Sequence, residues 1–516
     1  MIKIPLASWV ANAAVGLTGL YGDVTRQAQV ADCSRQTIYD HAHKVQAAVV
    51  DAHDGGPTRA TLIAQIHQLR SENARLWDWL AQTIEFPADK QHEFSVTAAA
   101  MGLSLNQVLV LLALILGKQD CPGRSTMHRW IKRAGVAAGR VLKLLDSRCR
   151  ALVLVGCLDE IFFHGRPVLV GVEPASMAWF LGQVADDRTG ATWARSLRDW
   201  DALSFVTADA GKGLQAGIAA VRRERQEEGA PSLESGLDVF HTAYEARRVL
   251  RLIWNRVGRL WEQAEAASRR VEQSQRQGRD TRGMAGVAGR AWKQAEAAFA
   301  EYERSEAGWK MAHGALAVFR PEGRVNDRTW AAEQIALALP VLSGPEWSKV
   351  RGLLQAGGAL TFLDRLHRQL GEAVPEDRLR AELVRLWWVR RRRPRAKGTG
   401  EVAGAGHVAY LVQAVVCQKL DPNWRESYVP VSRVLRGTVR ASSAVECMNS
   451  VLRMHQSRHR TVNQGLLDLK RLYWNCREFR QGKRRKHCPY QLLGLKLTNY
   501  RFWDLLGVPN TPVREA

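Results

Sequence analysis

The sequence predicts a multidomain chain in which small all-α units come first, an α/β core follows, and a large all-α insertion interrupts that core. Three observations predict it. At 516 residues the chain exceeds what one ordinary hydrophobic core organises. Residues 151–245 alternate short Val- and Leu-rich runs with amphipathic helical stretches, as an α/β layer does. Residues 246–440 are rich in Ala, Arg, Glu, Gln and Trp and keep a helical period throughout.

Charge narrows the partners. Lys plus Arg number 74 against 51 Asp plus Glu, a formal net charge of +23, which favours a polyanion and nucleic acid first. No apolar run reaches bilayer-spanning length, and the start, MIKIPLASWV, lacks a signal-peptide core and cleavage site. A cytoplasmic chain with no membrane partner is therefore expected. The eight cysteines are scattered without a CxxC pair, which fits a reduced compartment and speaks against structural zinc. The AGKG after Asp209 is not a G-x-x-x-x-G-K-[ST] loop, so no ATP dependence is expected.

Residues 1–58 read as a helix-turn-helix unit. A first helix ends near Ala31, Asp32-Cys33 makes the turn, Ser34 is the N-cap, and Arg35 to Val45 forms the second helix. Its first turn presents Arg35, Gln36, Thr37 and Tyr39, side chains suited to base edges and phosphates. A plain helical hairpin with a polar face is the alternative, and the net charge favours DNA binding. Residues 59–88 place Leu62, Ile66, Leu69, Asn73, Leu76 and Leu80 at heptad spacing, with one Asn on the seam. That is either a coiled coil or an amphipathic helix packed on its own domain. Residues 89–150 repeat the first theme. A helix over Leu105 to Leu116 precedes the turn Cys121-Pro122-Gly123, and Ser125 can cap the next helix. There Arg124, Thr126, His128, Arg129 and Lys132 face outward while Met127, Trp130 and Ile131 pack, a second helix-turn-helix-like DNA-binding unit.

Within residues 151–245, Leu152–Asp159, Val168–Glu173 and Ala178–Val184 read as three strands. A helix over Thr192–Trp200, a strand over Phe205–Ala208, a helix over Leu214–Glu228 and a fifth strand over Leu237–Phe240 follow. This is the strand order of an RNase H-like sheet, in which the first and fourth strands lie side by side. Asp159 and Asp209, each expected at a strand end, then become neighbours. Residues 246–440 are the all-α insertion, with a mobile Gly/Arg-rich loop expected from Gly278 to Gly289 and a run of arginines after Trp387-Trp388. Arg391, Arg392 and Arg393 in that run suit DNA-backbone contact. Residues 441–516 resume the core with helices over Ser443–His455 and Asn463–Arg480 and a basic tail.

Glu446 completes a set of acids. Carboxylates converging from separate segments can hold two Mg²⁺ ions, with Mn²⁺ able to substitute, for in-line attack on a phosphodiester. Asp159 suits the bridging position, Asp209 the second ion, and Glu446 arrives on a helix. On that helix Ser442, Glu446, Asn449 and Arg453 share one polar stripe, and Asn449 and Arg453 read as DNA contacts. Glu160 is the alternative to Asp159, though strand alternation turns it to the other face.

The motifs VGCLDE, VTADAGKGL, DVFH and SAVECMNSVLR resemble those of bacterial insertion-sequence DDE transposases, over about residues 151–245 and 441–480. The resemblance implies an RNase H-like catalytic core with a helical insertion before the Glu. It also implies binding of double-stranded DNA at transposon ends and target, Mg²⁺-dependent strand cleavage, and strand transfer by a terminal 3′-OH. It further implies a homodimer or higher synaptic assembly on the bacterial nucleoid. The acids carried over are Asp159, Asp209 and Glu446. His241 matches a position near the site, with a plain helix-start residue as its alternative. A catalytically silent DNA-binding protein derived from a transposase, and an RNase H-like nuclease without strand transfer, are the competing functions.

Overall fold

The structure, a computed structural model, describes residues 5–51, 59–83, 86–117, 120–392, 401–458 and 462–507. It is mostly helical, with one five-stranded mixed sheet. It divides into two compact units: residues 1–91 with 109–122 and 512–516, and residues 92–108 with 123–511.

The first unit holds α1 (Leu6–Thr18), α2 (Asp23–Val30), α3 (Arg35–Asp51) and α4 (Arg59–Thr83). Ile38 of α3 is fully buried, and Ala13, Val15, Ala28 and Ala42 of the same unit are buried as well. Buried Asn12 accepts from Gln27 Nε2 at 2.8 Å and lies 3.4 Å from His41 Nδ1, which ties the three helices by their polar groups. Ser34 caps α3 as its sequence requires, accepting from the Thr37 backbone N–H at 3.1 Å. The helix runs on past Val45 to Asp51. The division between units passes through α5 (Ala88–Ala100) and α6 (Leu105–Leu116).

The second unit begins its sheet side with α7 (Arg124–Cys149). The expected Ser125 cap is absent: Gly123 takes the N-cap position with no side-chain bond, and Ser125 lies inside the helix. Met127 is buried, with Arg124, His128, Arg129 and Lys132 exposed, as the helical period requires. The second half of α7 buries Ala134, Ala138, Leu142, Leu145 and Cys149 in the same core as the sheet. There is thus no seam at residue 150.

Then come β1 (Val155–Phe163), β2 (Arg166–Val172), β3 (Trp179–Val184), α8 (Gly190–Leu197), β4 (Phe205–Ala208), α9 (Lys212–Glu227) and β5 (Glu234–Leu237). The sheet order is β3-β2-β1-β4-β5, with β1–β2 and β2–β3 antiparallel and β1–β4 and β4–β5 parallel. His164 and Gly165 both take positive φ, the conformation a two-residue hairpin needs between β1 and β2. Leu158, Leu169 and Val206 face one core, while Cys157, Ile161 and Val170 face another, so the strands are apolar on both sides.

Two of the boundaries that differ from expectation lie beside the acids. β1 does not end at Asp159 but runs to Phe163, because every residue from Cys157 to Phe163 pairs with β2. The fifth strand is Glu234–Leu237, not Leu237–Phe240. Asp238 accepts from the Phe240 N–H at 2.8 Å and so starts a helix where a strand was expected.

That helix, α10 (Val239–Arg276), forms a long antiparallel hairpin with α11 (Arg282–Ala315). The loop expected over Gly278–Gly289 is only its first few residues. Gly283, Gly286 and Gly289 lie in α11 with open space or a single distant contact beside them. The hairpin is held by Trp261, which meets Trp292 edge-on with ring centroids 5.2 Å apart. The insertion continues through α12 (Arg328–Ala338), α13 (Ser348–Gln355), α14 (Thr361–Ala373), α15 (Asp377–Arg392), α16 (Glu401–Leu420) and α17 (Trp424–Gly437). The chain then returns as α18 (Ser443–Gln456), α19 (Gln464–Cys476), α20 (Pro489–Leu493) and α21 (Phe502–Leu506). α18 buries Val445, Met448 and Leu452 on the Cys157 face of the sheet, and α19 buries Leu469 and Leu472 with α7. Among the described residues, no helix is long and apolar enough to cross a membrane.

α7 and α19 touch backbone to backbone. A Cβ on Gly135 would lie 2.7 Å from the Gly465 carbonyl oxygen, whereas one on Gly258 in α10 would meet nothing within 4 Å. Gly135→Ala should therefore destabilise the chain by about 1–3 kcal/mol, and Gly258→Ala should stabilise it by about 0.5–1 kcal/mol. Urea unfolding of both variants checks the opposite signs.

Candidate active site

Asp159 lies in the middle of β1, 7% exposed, on the face covered by α18. Its Oδ1 accepts from the Glu160 N–H at 2.8 Å and its Oδ2 accepts from Asn449 Nδ2 at 2.6 Å. In the parallel β1–β4 pair Leu158 stands opposite Ala208, so the next residue, Asp209, comes beside Asp159 as β4 ends. Asp209 Oδ1 accepts from the Gly211 N–H at 2.9 Å, and Gln215 Nε2 holds its carbonyl at 2.6 Å.

Glu446 sits in the first turn of α18, half-buried, where a helix N-terminus favours an acid. His241 comes from the first turn of α10. Its Nδ1 lies 2.5 Å from Asp238 Oδ2 and its Nε2 lies 3.6 Å from Glu446 Oε1. One ligand-type atom each from Asp159, His241 and Glu446 lies within 4.8 Å of the others. Arg453 reaches to 3.8 Å from Glu446 on its outer side.

The electrostatics of this cluster are unbalanced. Burial pushes the Asp159 carboxyl up to about 7; the negative charges of Asp209 and Glu446 add to this, while the Glu160 N–H and His241 oppose it. His241 is pushed up to about 9, mainly because Asp238 accepts its Nδ1–H, with burial opposing and Asp159 and Asp209 adding. Burial pushes Asp238 up as well. Hydrogen bonds from His241, the Ser442 hydroxyl, the Ser442 N–H and the Phe240 N–H outweigh it and hold Asp238 below the usual carboxylate range. Near neutral pH the cluster thus carries an imidazolium at His241 beside an Asp159 carboxyl drawn towards protonation. A divalent cation held by Asp159, Glu446 and the Nε2 of His241 would take the place of those protons. Two carboxylates and one imidazole suit Mg²⁺ by charge and Mn²⁺ by ligand type.

The predicted site residues fall into three groups. Asp159, Glu446 and His241 come together, and Asp209 stands beside Asp159 but outside that three-ligand set. Asn449 is not a surface residue: it is fully buried, and its donation to Asp159 makes it a support of that carboxyl. Glu160 turns to the opposite face, as alternation requires, and pairs with Arg188 at 2.9 Å. Arg453 is exposed.

The remaining predicted contacts lie elsewhere. In the first unit Arg35, Gln36 and Tyr39 are exposed, whereas Thr37 is half-buried with its hydroxyl 2.9 Å from Ser34 Oγ. On α7, Arg124, His128, Arg129 and Lys132 are exposed and Thr126 is half-buried. Arg391 stacks over Trp387 at 4.8 Å and Arg392 over Trp388 at 4.2 Å. Arg393 lies outside the described residues. The sequence reading placed Asp238 in a strand and Ser442 on the polar stripe of the Glu446 helix, and missed that Ser442 donates to the Asp238 carboxylate. The i, i+3 spacing of Asp238 and His241 at a helix start was the available signal.

Because the folded pKa of Asp159 lies above its ordinary 3.8, the folded chain binds more protons than the unfolded chain between about pH 4 and 7. Stability of the metal-free protein therefore falls as pH rises through that window, and the loss is complete above it. Asp159→Asn should raise stability by roughly 2–4 kcal/mol near pH 8, with the gain shrinking towards pH 4. Denaturant melts of both proteins in chelator at the two pH values check it.

Comparison with protein-family models, with curated proteins and with solved structures finds no match to this chain.

Proposed function

We propose that the chain is a DDE-type DNA transposase of the bacterial insertion-sequence kind, with an RNase H-like core, acting in the cytoplasm on nucleoid DNA. It would bind double-stranded DNA at the element's ends and at the target, working as a homodimer or larger synaptic assembly and needing no ATP. The observation that carries this reading is the convergence of Asp159, His241 and Glu446, with Asp209 beside them, from chain segments far apart in sequence. The sheet order with a central parallel β1–β4 pair, and the basic charge of +23, support it.

The chain's own residues have distinct tasks in this reaction. Asp159, Glu446 and His241 would hold a divalent cation, and Asp209, on the neighbouring strand end, would share a second. Bound Mg²⁺ supplies the activated oxygen nucleophile and the charge stabilisation that phosphodiester cleavage needs. Asn449 and the Glu160 N–H keep the Asp159 carboxyl in one orientation. Asp238 fixes the His241 ring by its Nδ1, which leaves Nε2 facing Glu446. Arg453, exposed beside Glu446, offers a guanidinium to the phosphate of the strand being cut.

Cleavage and binding separate the roles. Incubated with its own element's end DNA and Mg²⁺, the wild-type chain should nick at the element boundary. Asp159→Asn, Asp209→Asn and Glu446→Gln should each lose nicking by a factor of about 10³ or more and retain end binding in gel shifts. Near-normal nicking by any one variant removes that residue from the site. Intact binding with no nicking by the wild type, in Mg²⁺ or Mn²⁺, would instead identify a silent DNA-binding protein.

The stacked arginines of α15 generate a second prediction. Each phosphate they neutralise on duplex DNA contributes about 0.9 to the slope of log affinity against log salt. Replacing Arg391 and Arg392 by Ala should flatten that slope by about 1–2, with preference for the end sequence unchanged. Binding isotherms from low to moderate salt check it.

A further inference from the structure

α10 (Val239–Arg276) starts at the acid cluster and carries an uncovered line of aromatic and cationic side chains away from it. Steps of four, three, four, three and seven residues place Phe240, Tyr244, Arg247, Arg251, Trp254 and Trp261 on one stripe of the helix. Phe240 is 41% exposed, Tyr244 57%, Trp254 50% and Trp261 39%, and both arginines are exposed. Val249 and Ile253 of the same helix lie in a core, so the stripe is the outward side. At a helical rise of about 1.5 Å per residue it runs about 30 Å. Four large rings left open along one line are a feature that a free-standing chain rarely shows without a use for them.

Three features set this stripe apart from scattered surface residues. Arg247 and Arg251 have no carboxylate or hydrogen-bond partner among the described residues, whereas Arg248 and Arg256, off the stripe, pair with Glu245 and Glu301. The two indoles are backed on one side and open on the other. Trp254 lies 4.9 Å from Tyr302 and Trp261 5.2 Å from Trp292, centroid to centroid. Rings held in this way lose little freedom when another ring stacks on them. The stripe also stops where its charge changes. The next turn beyond Trp261 brings an acid, Glu265, onto the same line. At its other end Phe240 is fixed beside the site, its N–H donating to Asp238 at 2.8 Å and its ring meeting His241 edge-on at 5.9 Å.

Exposed rings alternating with unpaired guanidinium groups fit one partner chemistry. Bases offer flat faces to rings, and phosphates offer charge to guanidinium groups. Duplex DNA keeps its base faces stacked inside, so an unpaired strand presents both groups together. An apolar protein surface would leave the two arginines buried without a partner. We propose that this face of α10 binds single-stranded DNA, with bases stacked on Tyr244, Trp254 and Trp261 and phosphates on Arg247 and Arg251. The stripe goes beyond the duplex binding of the proposed reaction. It leads away from His241, along a path open to a strand freed at the acid cluster. The binding itself uses none of the acids.

The test uses the full-length chain in chelator and a fluorescent poly-dT oligonucleotide, read by anisotropy. Tyr244→Ala and Trp254→Leu should each weaken single-strand binding roughly 5- to 150-fold and leave binding of duplex DNA unchanged. Trp254→Leu keeps an apolar contact for Tyr302, so its melting temperature should stay near that of the wild type. Tyr244→Phe keeps the ring and should bind as the wild type does. Replacing Arg247 and Arg251 together by Ala should flatten the slope of log affinity against log salt by about 1.4. Arg259→Ala, an exposed arginine off the stripe, should leave that slope unchanged. No binding of the oligonucleotide overturns the proposal, as does unchanged affinity in both ring variants. An equal loss of duplex affinity, or an equal flattening in Arg259→Ala, overturns it too, because the stripe would then be a general charge contact. Cleavage enters none of these readouts, so failure here and failure of the transposase reading are distinguishable.

Discussion

Asp159 carries a carboxyl in the middle of a strand that is covered on both faces, where charge is costly unless donors or positive groups meet it. Much of the second unit follows from meeting it. The Glu160 N–H and the Asn449 amide supply the donors, and Asn449 can reach only if α18 lies flat across β1. Val445, Met448 and Leu452 hold α18 there by burying its apolar stripe on the sheet. Even so the carboxyl remains drawn towards protonation, chiefly by its burial, with the like charge of Asp209 and Glu446 adding to it. A stable fold has no reason to gather these acids. A site that takes up a cation has one.

The insertion leaves this arrangement undisturbed because its two ends are clasped together. The chain departs from the sheet at Asp238 and returns at Ser442. The Asp238 carboxylate accepts from the Ser442 N–H at 3.0 Å and from its hydroxyl. The Val239 N–H donates to the Arg440 carbonyl at 3.0 Å. Everything between is an excursion that starts and finishes at one point, so its length does not alter where α18 begins. The same carboxylate orients His241, so the residue that closes the insertion also sets the imidazole facing Glu446. Asp238 is thus a structural clasp and a positioning residue at once.

What the sequence revealed follows what local chemistry fixes. Short apolar runs marked the first four strands in order, and Ser34 and Asn463 marked helix starts by their own capping bonds. Asp159 stood out because a carboxylate in a buried apolar run is anomalous, and Glu446 because it shares one polar stripe of a helix with Asn449 and Arg453. The end of β1 did not, since it depends on pairing with β2 across a turn. Asn449 was misplaced onto a surface because helical period shows a shared face but not what covers it. Asp238 was read as part of a strand, although its capping of α10 is a local interaction, because the flanking Leu237, Val239 and Phe240 read as an apolar run. The true length of the Gly278–Gly289 loop was hidden for a different reason. Glycine lowers helix propensity, yet Gly283 and Gly289 meet nothing that would disfavour a helix.

The most direct measurement is Mn²⁺ binding to the full-length chain by electron paramagnetic resonance, with isotropic coupling to nitrogen as the signature of an imidazole ligand. A site built from Asp159, Glu446 and His241 predicts bound Mn²⁺ with nitrogen coupling. That coupling should disappear in His241→Gln, and the binding itself should be lost in Glu446→Gln. Mn²⁺ binding that persists unchanged in Glu446→Gln, or no binding at all near pH 8, would contradict it.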